Sequence, residues 1–348
     1  MTISPSSLLP FPFISMIIPA YNRADEIKEF LSSLVLQTSK EFEVIIVDDG
    51  STDNIKEVVD SFKNQLDLRY FFQKNTGPGA ARNNGMDKAK GDVFVFIDSD
   101  CTVPVDYVEN LVTHLESEDF DFFGGPDTYR EDFPPFLKAV NYSMTSFIGT
   151  GGTRGSSGKS VGKYYPRSFN MGIKREVYEK VGGMNSLRHG QDMDFSNRIF
   201  KAGFKAKYLP DVFVYHKRRT SFRRFFKQIF NWGVTRVNLG KLDKKMLKPV
   251  HCLPSVIVTG YFLSLIFAIL FSLIAYLFLF ENICLLLVGG FVLIQSSREY
   301  QSLKVGLLSV VTIFTQIFAY GIGLFVGVIK SIFQKEKFVN GFTKKYYK

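Results

Sequence analysis

The sequence predicts an α/β domain built on a mostly parallel sheet, joined to an α-helical membrane tail. Three observations carry that expectation. Short β-branched apolar runs alternate with stretches of helical spacing, as in a sheet buried on both faces. Acidic turns close two of those runs, Val47-Asp48-Asp49-Gly50-Ser51-Thr52-Asp53 and Phe96-Ile97-Asp98-Ser99-Asp100. Residues 253–280 and 305–329 contain no charge at all, and a membrane helix needs about 20 such residues.

The elements follow in order. Residues 14–18 read as a first strand, and Pro19-Ala20-Tyr21-Asn22 turns the chain out of it. Ile27, Leu31, Leu34 and Val35 set helical spacing over 24–37. Glu43 to Val47 is a second strand, followed by a helix that Ser51, Thr52 or Asp53 can cap. Leu68 to Phe72 is a third strand, Gly77 to Lys90 a Gly-interrupted helix and Val93 to Ile97 a fourth strand. This alternation predicts right-handed crossovers. Phe120 to Gly125 is a further strand candidate. Residues 149–163, rich in Gly and Ser with Arg154, Lys159 and Lys163, read as a loop. Ser168 to Met171 leads into a helix over Arg175 to Val181, which Gly182-Gly183 ends. A helix is expected over Asp192 to Ala202 and an extended segment over Tyr208 to Tyr215. Ser221 to Leu239 carries aromatic and basic residues and reads as an amphipathic helix at a membrane interface.

The 348 residues suffice for one large domain or two. The net charge of +10 is localised: Tyr215 to Val250 holds eleven Lys or Arg against one acid, Asp243. That collar abuts the first apolar span, so it marks a cytoplasmic side and attracts anionic headgroups. The same placement argues against nucleic acid as the partner. Cys101, Cys252 and Cys284 show neither a disulfide framework nor metal-site spacing, which fits a reducing compartment. Met1 to Pro12 lacks the basic start and apolar length of a signal peptide.

The tail is less easily divided. Leu253 to Phe280 is one long span, or one span plus the start of another. Glu281-Asn282 is read as a turn, and Ile283 to Ile294 as a re-entrant arm or part of a second span. Val305 to Ile329 is a span. Six Lys from Lys330 onward, against Glu336, favour a cytoplasmic end and an even number of crossings, whereas three equal helices place that end outside. Two to four spans are therefore expected.

The motifs carry the chemistry. Carboxylates at the carboxyl ends of two strands lie where open α/β sheets bind ligands, and closely spaced aspartates suit a divalent cation. Asn75-Thr76-Gly77-Pro78-Gly79-Ala80-Ala81-Arg82-Asn83 places glycines before a helix start, where backbone donors face phosphate and Arg82 adds charge. With Ile17-Ile18-Pro19-Ala20-Tyr21-Asn22, these segments resemble the family 2 glycosyltransferases in motif and order over about residues 13–240. The resemblance implies a GT-A, Rossmann-like fold and inverting transfer from a nucleoside-diphosphate sugar, UDP by default.

By resemblance, Pro19, Ala20, Tyr21, Asp48, Asp49, Asn75, Gly77, Arg82, Asp98 and Ser99 bind the nucleotide sugar. Asp100, with Asp98 and His216, is implied to hold Mn2+ or Mg2+. Asp192, in Gly190-Gln191-Asp192-Met193-Asp194, is implied to be the general base, with Gln191 where the family commonly has Glu. Gln191, Arg218, Arg219 and Trp232 are candidates for the acceptor or diphosphate. Gln228-Ile229-Phe230-Asn231-Trp232 partly echoes a motif of processive synthases, but Asn231 replaces its Arg, which argues against such a synthase. Simple caps, turns and lipid-facing anchors are the plainer readings of the same residues.

The expected organisation is an N-terminal segment (1–12) and a GT-A catalytic domain (13–220; nucleotide half 13–125, acceptor half 126–220). A basic interface helix (221–250), a transmembrane region (251–333) and a basic tail (334–348) follow. The implied partner, besides the donor and the membrane, is a polyprenyl-diphosphate-linked saccharide in cell-surface polysaccharide assembly. The implied location is the inner (plasma) membrane with the catalytic domain in the cytoplasm. A polyprenyl-phosphate glycosyltransferase and a silent membrane scaffold are the alternatives.

Overall fold

The computed structural model describes residues 12–151, 164–218, 221–334 and 337–342. Arg154, Lys159, Lys163 and Arg219 lie outside the described residues. The chain divides into two compact units. The first comprises described residues 12–130 and 164–217, and the second 131–151 and 218 onward.

The first unit opens with β1 (Ile14–Ala20), α1 (Ala24–Val35), β2 (Phe42–Asp48), α2 (Ile55–Asp60), β3 (Leu68–Phe72), α3 (Pro78–Lys88) and β4 (Val93–Ile97). β5 (Cys101–Thr102), α4 (Tyr107–Ser117), β6 (Phe122–Gly124) and β7 (Asp127–Thr128) follow. After the excursion of α5 (Pro135–Thr145) and α6 (Phe147–Thr150) into the second unit, β8 (Asn170–Lys174), α7 (Arg175–Val181), α8 (Gln191–Lys201), β9 (Ala206–Tyr208) and β10 (Val214–His216) complete it.

One sheet runs β3-β2-β1-β4-β8-β6-β9, and β5-β10-β7 form a smaller one. Alternation along the central strands explains the layers. Met16, Ile18, Val44 and Ile46 face one side with Ile27, Leu31 and Leu34 of α1 and Leu111 of α4. Ile17, Ile45 and Val47 face the other with Ala81 and Met86 of α3 and Phe195 of α8. Side chains of period 2 on a strand buried on both faces give this arrangement. Each fully buried Ile, Leu or Phe contributes about 1.5–3 kcal/mol.

Two readings of the sequence are corrected here. Asn170–Lys174, taken as the approach to a helix, is a strand antiparallel to both β4 and β6, so the sheet is mixed. Gly172 admits the Phe123 ring, from which a Cβ would lie only 2.0 Å. The Ser51-Thr52-Asp53 triplet does not cap α2, whose N-cap is Asn54 without a side-chain bond. Asp53 Oδ2 instead accepts from Ala24 N (2.9 Å), at the first turn of α1, and Ser51 Oγ from Asn22 N (2.9 Å).

The second unit contains α5, α6, α9 (Phe222–Leu242), α10 (Pro249–Phe267), α11 (Ser272–Glu299) and α12 (Leu303–Phe333). α10, α11 and α12 are long and apolar enough to cross a membrane. The expected turn at Glu281-Asn282 is absent, because both lie inside α11 and the chain breaks at 268–271. Their polar groups find partners across the helical hairpin and along the helix. Ser264 Oγ donates to Glu281, Tyr261 Oη to Asn282 Oδ1 (3.2 Å), and Asn282 Nδ2 to Phe278 O (2.7 Å). A satisfied polar side chain does not interrupt a helix.

α9 is amphipathic, but its apolar face is buried in protein. Phe225, Ile229, Phe230 and Val234 cluster with Ala319 of α12 and with Val140 and Met144 of α5. Small residues permit the close approach: a Cβ on Gly323 would lie 2.1 Å from Phe230 O, and one on Gly233 2.3 Å from Tyr320 O. α5 is fastened by polar bonds, with Ser143 Oγ donating to Thr312 Oγ1 (2.6 Å) and Tyr142 Oη to Gln295 Oε1 (2.6 Å).

Candidate active site

The expected residues collect at the carboxyl ends of β1, β2 and β4. Ala20 O, at the end of β1, accepts from Asp49 N (2.8 Å) and ties the first two motifs together. Pro19 and Tyr21 flank it in the chain. Asp48 and Asp49 are 2% and 1% exposed. Asp48 accepts from Ser51 N (2.8 Å) and Tyr70 Oη (2.6 Å). Asp49 accepts from Gln73 Nε2 (2.8 Å), Thr76 N (2.9 Å) and Gly77 N (2.8 Å). Asp49 thus shapes the glycine turn at Thr76-Gly77, and Asp48 the turn that follows β2. Burying them is sustained by these donors.

Asn75 lies against Gly50, whose φ of +84° and whose space, 2.9 Å from a built Cβ to Asn75 N, both require glycine. Asn75 Nδ2 is buried without a hydrogen-bond partner. Gly77, at φ +98°, delivers the chain into α3 with Pro78 at its first position.

α3 joins two motifs distant in sequence. Its Arg82, 4% exposed, forms an ion pair with Asp98. Three residues earlier, Gly79 faces the Gln191 amide, 2.6 Å from a built Cβ. Gln191 and Asp192 open α8 after Gly190 in the left-handed conformation. Asp192 Oδ1 accepts from Met193 N (2.9 Å), and Oδ2 lies 4.0 Å from Arg167 Nη1. Asp194 pairs with Arg198 at 2.9 Å, so its carboxylate is committed within the helix.

Beyond the turn of Asp98, Ser99 and Asp100, β5 pairs with β10 and brings His216 to Asp100. His216 Nε2 is 3.2 Å from Asp100 Oδ1, and Nδ1 is 3.1 Å from Asp127 Oδ2. Burial opposes the imidazolium, but Asp100 and Asp127 outweigh it and push the His216 pKa up to about 9. Arg23 Nη1 lies 4.0 Å from the other Asp100 oxygen. Asp100, Cys101 and His216 offer three ligand atoms within 4.8 Å of one another. Burial, with the nearby Asp100, Asp98 and Asp127 charges, pushes the Cys101 thiol up.

This donor set fits a divalent cation, and Asp127 on Nδ1 leaves Nε2 as the nitrogen that could ligate one. Of the three residues expected to hold metal, Asp100 and His216 are brought together, whereas Asp98 stands on Arg82. Arg218 and Trp232 belong to the second unit, Arg218 buried and Trp232 packed against the α9–α12 cluster. Sequence reasoning missed Arg23, Cys101, Asp127 and Arg167. Arg23 directly follows Pro19-Ala20-Tyr21-Asn22 and was open to notice. Asp127 carries no local signal, because only β7–β10 pairing brings it to His216.

The mixed sheet with its helical tail has a solved counterpart. The chain superposes on a mannosyltransferase from Pyrobaculum calidifontis, PcManGT in complex with GDP-Man and Mn2+, with a TM-score of 0.65 at 20% identity, over 96% of this chain and 90% of that one. The first unit is therefore a GT-A fold. Residues 15–182 match the family model Glycosyl transferase family 2, so this part of the chain is a family 2 glycosyltransferase domain. The chain is 29% identical over 255 residues to glycosyltransferase AglE of Haloferax volcanii, covering 72% of this chain and 81% of AglE. An uncharacterized glycosyltransferase of Rickettsia felis is 43% identical over 109 residues, 31% of this chain and 18% of that protein. With the latter the likeness is local.

Proposed function

We propose that the enzyme transfers a sugar, with inversion, from a nucleoside-diphosphate sugar to a hydroxyl of a lipid-linked saccharide. The observation that carries this reading is the double attachment of α3. Arg82 holds Asp98 of the donor motif, and Gly79 receives Gln191 beside Asp192. Donor and base motifs are thereby fixed to one helix.

In this reading Asp192 accepts the acceptor's proton as it attacks, which is worth on the order of 10²- to 10⁴-fold in rate. The Asp192 carboxylate is partly open, with Arg167 Nη1 4.0 Å from its Oδ2. Asp100 and His216 would hold Mn2+ or Mg2+, and the ion would supply Lewis-acid stabilisation of a leaving diphosphate. Asp127 orients His216. The α3 start and Asn75 Nδ2 supply donors to the nucleotide diphosphate. UDP-sugars are the default donor, and the GDP-Man bound by PcManGT keeps GDP-sugars in view.

Three apolar helices and the eleven-cation collar support a membrane acceptor carried on polyprenyl diphosphate, with the catalytic unit in the cytoplasm. Cell-surface polysaccharide assembly is the matching context. The test uses the full chain in detergent with Mn2+ or Mg2+, a panel of UDP-, GDP- and dTDP-sugars, and two lipid acceptors. Transfer to the lipid-linked saccharide supports the proposal. Transfer to polyprenyl phosphate alone replaces it with the lipid-phosphate reading, and donor binding without transfer to either opposes it.

A further inference from the structure

Cys101 and His216 face each other directly across the antiparallel β5–β10 pair. Lys217 N donates to Asp100 O at 2.9 Å just beyond them. That bond flanks the pair and makes it the non-hydrogen-bonded kind, in which side chains on one face stand closest. Asp100 reaches the same point from the adjoining turn, with Oδ1 3.2 Å from His216 Nε2. The three ligand atoms are mutually within 4.8 Å.

We propose that Asp100, Cys101 and His216 together form a sulfur-, nitrogen- and oxygen-ligated site for a thiophilic divalent cation such as Zn2+. The proposal rests on the reading that Asp100 and His216 hold a cation, and it adds the Cys101 sulfur. Bonds of about 2.0 Å to N or O and 2.3 Å to S place tetrahedral ligands roughly 3–4 Å apart, so the observed grouping needs only small side-chain adjustment. Mn2+ and Mg2+ prefer oxygen and nitrogen and leave the thiol protonated. Zn2+, Co2+ and Cd2+ accept thiolate. On binding, the S–H proton goes to solvent and an S–metal bond forms, with no change of oxidation state. The Asp127 carboxylate on His216 Nδ1 orients the ring for either class of ion. A three-ligand hold leaves fewer positions for diphosphate oxygens, so the thiophilic ion competes with Mn2+ and slows turnover.

The experiment uses the full chain in detergent, stripped with chelator, in a Cys252→Ser, Cys284→Ser background so that Cys101 is the remaining thiol. Cobalt is added and the near-ultraviolet thiolate-to-cobalt charge-transfer absorption is followed. Zn2+ and Mn2+ affinities are measured in parallel by competition. The expected result is a charge-transfer band that Cys101→Ala removes. Zn2+ affinity falls at least about tenfold in that variant, while Mn2+ affinity stays within about twofold. If Cys101→Ala does not fold, X-ray absorption of the zinc-loaded background protein decides, through a sulfur neighbour at about 2.3 Å. Bound cobalt without the band, zinc without sulfur, or a band that survives Cys101→Ala overturns the proposal and leaves the Mn2+ reading standing. Failure to bind cobalt, zinc or manganese overturns both.

Discussion

Arg82 in α3 is ion-paired to Asp98 at the end of β4, and the two side chains are unequally buried. The Arg82 side chain is 5% exposed and that of Asp98 34%. Removing the acid leaves a buried cation, whereas removing the cation leaves a carboxylate that water can still reach. Loss of one partner of a buried pair costs about 3–5 kcal/mol. Asp98→Ala is therefore expected to destabilise the protein more than Arg82→Met. Thermal unfolding of both variants in detergent checks the order, and equal losses exclude the asymmetry. Both variants are also expected to weaken donor binding.

Asp192 has its carboxylate partly open beside Arg167. Asp192→Asn keeps the shape and removes the proposed base. Transfer to a hydroxyl acceptor is expected to fall by about 10²- to 10⁴-fold with the donor Kd unchanged. A parallel loss of donor binding contradicts the base assignment. Full activity of the variant on polyprenyl phosphate favours the lipid-phosphate alternative.

Glu43, at the other end of β2, is buried, and burial alone raises its pKa. The Lys90 N–H, the Ser15 hydroxyl and Arg69 together outweigh that and hold it below the usual glutamate range. Ser15 Oγ lies at 2.7 Å, Lys90 N at 2.6 Å and Arg69 Nη1 at 3.0 Å. A carboxylate with a depressed folded pKa stabilises above its unfolded pKa, and that contribution is lost as pH falls through the folded value. The melting temperature is thus expected to drop below about pH 4.5, and less steeply in Glu43→Gln, whose neutral amide starts from a lower plateau. Parallel pH profiles of the two proteins oppose this.

Gly323 meets the backbone of Phe230, with a built Cβ 2.1 Å from its carbonyl oxygen. Backbone cannot swing aside as a side chain can. Gly323→Ala is expected to push α9 from α12 and cost about 1–3 kcal/mol. Gly260, which has open space around it, serves as the control. Equal melting temperatures for Gly323→Ala and Gly260→Ala rule out this close approach.

Local rules served where one element supplies its own evidence. Val93–Ile97 and Arg175–Val181 coincide with their expected bounds, since an unbroken apolar run and a helix stopped at Gly182 need no partner to be recognised. β8 was missed because Asn-Met-Gly-Ile-Lys is short and its strand character comes from β4 and β6 on either side. The turn read at Glu281 failed for a related reason. Its polarity is answered by Ser264 on another helix, which no local rule can see.

The sequence by itself determined the family 2 glycosyltransferase motifs, the α/β order of the first unit, the acids at the strand ends and the apolar length of the tail. These follow from periodicity, β-branching and motif spacing, which are properties of neighbours along the chain. Tertiary structure decided which acids serve which neighbour. Asp98 went to Arg82, Asp100 and Cys101 to His216, Asp53 to α1, and residues 131–151 to the helical unit. Such pairings depend on sheet order and on helices packed close at glycine. A charge or a sulfur finds its partner only once chain segments far apart in sequence share one place.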